Sequence, residues 1–152
     1  MTARPTTLRR MVVWGPLVAY LGLIFYLSSR SSVGWAVSYP DKLLHFLEYG
    51  GLALLFARAL NGGIRKPVPA SRLVIAGALA LVYALSDEIH QAFVPERMSD
   101  WRDVLADAVG AATALAVVAL LGRTFFNGGA SGAKRQAPPA PPLDDLARKE
   151  PT

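Results

Sequence analysis

Apolar residues along the chain fall into four long blocks separated by short stretches rich in Gly, Pro, Ser and charge. The first runs from Met11 to Ser29, interrupted only by Gly15 and Pro16 near its start, and the second from Leu43 to Leu60, broken by His45, Glu48 and Arg58. The third, Leu73 to Val94, is apolar through Leu85 and then turns polar at Ser86-Asp87-Glu88-Ile89-His90-Gln91. Val104 to Gly122 forms the fourth, with Asp107 near its start and Ala and Val dominating the rest. Each block is about 18 to 22 residues, the length at which an α-helix crosses ~30 Å of hydrocarbon. Four such blocks in succession, with so little polar face, predict an all-α polytopic membrane protein: a four-transmembrane-helix bundle with a disordered C-terminal tail.

The breakers lie between the blocks. Ser38-Tyr39-Pro40-Asp41 reads as a helix start, with Ser38 as N-cap and Asp41 three residues on. Asn61-Gly62-Gly63 and Lys66-Pro67-Val68-Pro69 make a turn, Ser71 is a candidate cap for the third span, Pro95 closes that span, and Ser99 or Asp100 caps the fourth. Residues 1–126 therefore form the transmembrane domain, with spans at about 11–29, 43–60, 73–94 and 104–122. Residues 127–152 are rich in Pro, Ala, Gly and charge, have no apolar periodicity to bury, and are predicted to be a disordered cytoplasmic tail.

That tail dilutes the hydrophobic content to 53%, which understates the blocks. With no cysteine in the chain, a disulfide framework, a thiolate metal site and a Cys nucleophile are all excluded, so any chemistry uses oxygen, imidazole or amine groups. The net charge of +5 could suggest nucleic acid, but the basic residues flank apolar blocks instead of forming a patch with interleaved aromatics. No nucleic-acid partner is expected; membrane lipids are.

Cations set the orientation, because Lys and Arg stay on the cytoplasmic side. Arg4, Arg9 and Arg10 precede the first span, Arg58, Arg65, Lys66 and Arg72 surround the second loop, and Arg123, Lys134, Arg135, Arg148 and Lys149 follow the fourth span. The other two loops hold only Arg30, Lys42, Arg97 and Arg102. Both termini are predicted to be cytoplasmic, in the cell membrane, with the first and third loops outside. Thr7-Leu8-Arg9-Arg10 before an apolar run resembles an export signal, but the segment is long and no Ala-x-Ala site follows.

The acids make an independent point. Asp41, Glu48, Asp87, Glu88, Glu96, Asp100, Asp103 and Asp107 all fall on the extracytoplasmic half, as do His45 and His90. At about 100° per residue, Asp41, Lys42, His45, Glu48 and Tyr49 share one face of the second span. Tyr83, Ser86, Asp87, His90 and Gln91 share a face of the third span roughly 140° wide, with Glu88 outside it. Asp100, Asp103 and Asp107 line one side of the fourth span and lead into Gly110, Ala111 and Ala114, a small-residue stripe suited to close helix contact.

Ionisable groups within about 10 Å of the outer surface cost several kcal/mol facing lipid, so they are expected to turn inward and pair. Capping and the helix dipole account for Asp41 and Asp100, and extend to Asp103, without any chemistry. They account less well for His45, Glu48, Asp87, His90 and Asp107, which are deeper and come from three helices. His45-x-x-Glu48 and Asp87-x-x-His90 each place an imidazole and a carboxylate on one helical face, a geometry for Mg²⁺ or Zn²⁺ or for an acid and base pair. The helix N-termini of the second and fourth spans, with Lys42, Arg97 and Arg102, favour a phosphate or carboxylate group. Trp101 and Tyr39 read as interfacial anchors.

Asp41-Lys42-Leu43-Leu44-His45-Phe46-Leu47-Glu48-Tyr49, Ser86-Asp87-Glu88-Ile89-His90-Gln91 with Pro95-Glu96-Arg97, and Asp103-Val104-Leu105-Ala106-Asp107-Ala108-Val109-Gly110-Ala111 resemble the VanZ-like family, as does Phe25-Tyr26-Leu27-Ser28-Ser29. The resemblance covers roughly residues 11–122. The family usually has Asn at the position of Asp107 and often Gly at that of Glu96. The resemblance implies a bacterial cell-envelope membrane protein, in a family that takes its name from a teicoplanin-resistance protein and has no single settled activity.

The residues and the resemblance together lead to an outer-side pocket that binds or modifies an anionic lipid-linked or glycopeptide-type group. His45, Glu48, Asp87 and His90 are the catalytic candidates if the protein is an enzyme, which the sequence leaves open. Lys42, Tyr49, Ser86, Glu88, Gln91, Arg97, Asp103 and Asp107 are the ligand-binding candidates, and a divalent metal is a possible cofactor of unassigned identity. The alternatives are a non-catalytic ion- or proton-conducting protein and a membrane scaffold.

Overall fold

The structure, a computed structural model, describes residues 7–31, 41–97 and 99–133, with side chains described as far as residue 122. Its elements are α1 (Thr7–Ser28), α2 (Asp41–Leu60), α3 (Ala70–Gln91) and α4 (Trp101–Ala133). Each is long and apolar enough to cross a membrane, α4 over Trp101–Gly122. The protein is a polytopic four-helix membrane protein.

All four helices begin two to four residues before their apolar blocks, because polar residues such as Asp41, Lys42 and Arg102 continue a helix into the interface at little cost. Asp100 caps α4 as expected: its side chain accepts the Arg102 N–H at 3.0 Å and its carbonyl the Asp103 N–H at 2.8 Å. Ser71 is no cap, since α3 starts at Ala70 behind an extended Pro69 and has no side-chain cap. The α3 helix also stops short of Val94, ending at Gln91 in tight turns that link Phe93 N–H to the His90 carbonyl and Val94 N–H to that of Gln91. Pro95 disfavours helical backbone at Val94, and Glu96 adopts the left-handed region at φ 65°. That conformation favours glycine, as the resemblance to VanZ-like sequences leads one to expect at this position. The α4 backbone runs on to Ala133 and so takes in the first seven residues of the expected tail. Ser38, Tyr39, Pro40 and residues 134–152 lie outside the described residues.

Small side chains form most of the core. Ala76, Ala80 and Ala84 repeat every fourth residue along α3 and are fully buried, as are Leu52 and Ala53 of α2. Large apolar side chains such as Val18, Val74, Ile89 and Leu120 point outward, as lipid-facing residues do. The closest approach joins α2 to α4. A Cβ on Gly110 would stand 2.0 Å from the Phe46 carbonyl oxygen, and one on Gly50 would stand 3.3 Å from the Gly110 oxygen.

Side chains also bind backbone between helices. The Tyr20 hydroxyl donates to the Glu48 carbonyl at 3.1 Å and that of Tyr83 to the Leu21 carbonyl at 2.8 Å, so Tyr83 does more than pack. At the opposite end of the bundle, Arg58 of α2 donates to the Val12 carbonyl at 2.9 Å and the Val13 carbonyl at 2.8 Å. Pro16 lies inside α1 and has no N–H for the Val12 carbonyl four residues back, so the guanidinium supplies the missing donor.

Gly110→Ala should destabilise the bundle by about 2 kcal/mol or more, since backbone rather than a flexible side chain blocks the new methyl, and thermal unfolding in detergent reads the loss. Arg58→Met should cost about 1–3 kcal/mol by stranding the Val12 carbonyl and removing a second bond from that of Val13. In a Pro16→Ala background, where residue 16 regains its N–H, the cost should fall by about 1 kcal/mol, which a double-mutant cycle measures.

Candidate functional site

The acids and histidines of α2, α3 and α4 gather at the end of the bundle that carries residues 28–31, 91–97 and 99–100. They form two chains of contacts with a cleft between them and α1.

The first chain joins α2 to α4. His45 Nδ1 lies 3.0 Å from Asp107 Oδ1, and its Nε2 is 4.0 Å from Asp103 Oδ2. All three residues are buried, His45 at 7% exposure, Asp103 at 5% and Asp107 at 2%. An ionised carboxylate only accepts, so the Nδ1 proton points to Asp107. Lys42 ion-pairs with Asp103 and with Asp100 at 3.0 Å, and reaches Asp41 at 4.0 Å. The Arg102 N–H and then Lys42 hold the Asp100 carboxyl below the usual carboxylate range.

The second chain joins α3 to α1. Gln91 Nε2 donates to Asp87 at 2.9 Å, and Arg97 Nη1 donates to the Gln91 oxygen at 3.3 Å. Arg97 also donates to the Leu27 carbonyl at 3.3 Å and the Arg30 carbonyl at 3.2 Å. Its guanidinium is thus held by neutral oxygens and forms no carboxylate ion pair among the described residues. Glu88 secures the loop that follows: one carboxylate oxygen accepts the Ser99 hydroxyl at 2.8 Å and the Asp100 N–H at 3.0 Å.

The cleft between these chains has a volume of about 490 Å³. Tyr20, Leu23, Ile24, Leu27 and Ser28 of α1 and Leu44 and Leu47 of α2 form its walls, and Asp41, His45, Glu48, Asp87, Gln91 and Arg97 supply its polar part. Leu23 and Leu47 are exposed on the outside of the bundle, so the cleft opens sideways between α1 and α2. Among the described residues the Glu48 carboxylate has no hydrogen-bond partner, leaving it available to a ligand.

Several sequence expectations need correction. His45 pairs across to α4 instead of along its own helix to Glu48, because the Gly110 contact brings Asp107 alongside it. His90 turns away from Asp87 toward α1, where it meets the Ser29 hydroxyl at 3.0 Å and stacks on Phe25 with centroids 4.8 Å apart. Ser86 is exposed and donates to the Tyr83 carbonyl on its own helix at 2.7 Å. Glu88, expected outside the inward face of α3, is buried, since Asp87 and Glu88 both lie within the wide side of α3 that meets α2 and α4. Tyr49 is buried as a core residue and does not line the cleft, and its hydroxyl has no partner among the described residues. Arg102 lies over the exposed Trp101 ring at 6.0 Å.

Sequence reasoning missed the contribution of α1 and the place of Asp41 in the cleft wall. Tyr20, Ile24, Leu27 and Ser28 fall at i, i+4, i+7 and i+8, one helical stripe, which was the available signal for α1. Asp41, which the sequence places both at the helix start and on the polar face of α2, lines the cleft.

A family model described as VanZ/LLP1 matches residues 8–122, which contain every cleft residue named above. No characterised protein and no solved structure matches the chain significantly.

Glu88→Ala should free the loop before α4, with faster hydrogen exchange at the Asp100 amide and a stability loss of about 1.5–3 kcal/mol for the charge-assisted bonds removed.

Proposed function

Because the chain belongs to the VanZ/LLP1 family, whose model spans the whole cleft-bearing bundle, we propose that the protein binds an anionic, lipid-linked headgroup in the cell envelope. The cleft carries this reading. Its apolar walls open toward lipid between Leu23 and Leu47, and its inner end is polar, the arrangement an amphiphile entering from the bilayer requires. Arg97 is the anion ligand, since a guanidinium held only by neutral oxygens keeps its full charge for a phosphate or carboxylate. The excess of Lys and Arg around the termini and the second loop supports a reading in which this end lies outside and both termini are cytoplasmic. A pocket for an envelope lipid on that side fits altered susceptibility to glycopeptides of the teicoplanin type, the phenotype from which the family takes its name.

Ion or proton conduction is less well supported. Below Glu48 the core residues Leu52, Ala53, Phe56, Ala76 and Ala80 carry no titratable group, so the polar cluster occupies one end of the bundle.

Protein purified in mild detergent should carry a phosphate-bearing lipid visible by native mass spectrometry. Arg97→Ala should reduce its retention at least tenfold, equivalent to about 1.4 kcal/mol. An identical lipid complement in wild type and variant would overturn the reading.

A further inference from the structure

We propose that Asp41, His45 and Asp103 form a site for one divalent cation of the manganese or zinc class, with Asp107 as the positioning residue for the histidine. The proposal deepens the headgroup reading, since Asp41 and His45 line the same cleft, but it stands on its own geometry.

One ligand atom from each of the three residues lies within 4.8 Å of the other two. An ion with bonds of about 2.0–2.2 Å holds tetrahedral ligand atoms roughly 3.5 Å apart, so the set must contract by about an ångström. Asp41 can supply that movement: its side chain is 64% exposed, at the first position of α2.

The histidine is already arranged as a metal ligand. In the neutral ring, an Nδ1 proton donated to Asp107 leaves the lone pair on Nε2. That nitrogen belongs to a side chain only 8% exposed and has no hydrogen-bond partner among the described residues; its nearest acidic neighbour is Asp103 Oδ2 at 4.0 Å. A carboxylate on one ring nitrogen and an ion on the other is the usual support for a ligating histidine. Asp103 divides its oxygens similarly, Oδ1 toward Lys42 and Oδ2 toward His45.

Charge points the same way. Asp41, Asp103 and Asp107 surround the imidazole, and Lys42 is the one ammonium paired with any of them among the described residues. With the ring neutral, two negative charges are left uncompensated, one of them on the buried Asp107, where burial makes it costly. A divalent ion balances them. One imidazole with two carboxylates selects a first-row ion over Ca²⁺, which prefers an all-oxygen shell. An ion held there with open positions toward the cleft would also let an acid-rich lining accept an anionic headgroup.

The test is Mn²⁺ and Zn²⁺ binding to chelator-treated, full-length protein in detergent, without lipid. We expect one ion per chain, with Mn²⁺ showing spin-echo modulation from a single imidazole nitrogen that persists in His90→Ala. Asp103→Asn and His45→Ala should weaken binding at least tenfold, and Asp107→Asn by about 10–100-fold, in variants whose helical signal and melting show them folded. If His45→Ala fails to fold, the nitrogen signal of the wild type decides. No stoichiometric binding, no nitrogen coupling, or unchanged affinity in folded Asp103→Asn would overturn the site. Metal binding without retained lipid would remove the headgroup reading and leave the site standing; the converse would do the opposite.

Discussion

Helices α2 and α4 meet where Gly110 leaves room for the backbone of Phe46 and Gly50 faces the Gly110 carbonyl. That approach decides where the charged groups lie. One turn from Gly110 toward the loop end stands Asp107, and one residue from Phe46 stands His45, so bringing the two backbones together brings the imidazole to the carboxylate at 3.0 Å. The next turn of α4 presents Asp103 and the one before it Asp100, both within reach of Lys42. A larger residue at position 110 would separate the backbones and strand three buried polar residues in an apolar surrounding, where an unpaired charge costs several kcal/mol. Packing and electrostatics are therefore one constraint at this contact.

The bundle manages exposed backbone by the same logic. Lipid offers no donor to a carbonyl left open by a proline, and Pro16 opens the one on Val12. Arg58 closes it from the neighbouring helix. By sequence this arginine reads as one more cation marking the cytoplasmic side; in the structure it also ties α2 to α1 at the end remote from the cleft. The two tyrosine hydroxyls that reach Glu48 and Leu21 carbonyls tie α1 nearer the cleft. Thus α1, whose exposed side leaves it the least embedded helix, is held by side-chain to backbone bonds at both levels.

What was legible in the sequence followed from short-range physics. Four apolar runs of membrane-spanning length, the turn at Asn61 to Gly63 and the Asp100 cap depend on residues a few positions apart. Partner choice does not. H-x-x-E and D-x-x-H place groups on one helical face, but a face is wide enough for the imidazole to choose a neighbour on another helix. His45 finds Asp107, 62 positions away, and His90 finds Ser29, 61 positions away. The Gly110 stripe was visible as a contact surface, whereas the helix it contacts depends on the packing of the whole bundle. Asp41 is ambiguous by sequence for a related reason: a carboxylate in a first turn satisfies the helix dipole whether or not it also lines a cleft.

Arg97 and the acids occupy one cleft without pairing, and this limits what the cleft can hold. In a simple anion pocket Asp87, Glu48 and Asp41 would repel the ligand; in a simple cation pocket Arg97 would do so. Binding Arg97 through carbonyls and Gln91, instead of through Asp87 directly, keeps the guanidinium and the carboxylate from cancelling each other. Both signs of charge remain expressed at opposite sides of the polar end, with Arg97 toward α1 and Asp41, His45 and Asp103 toward α4. Under the proposed reading, a ligand suited to that field would carry negative oxygens at the arginine and meet a cation at the acids, the charge pattern of a metal-bridged phosphate or carboxylate with an apolar chain between Leu23 and Leu47.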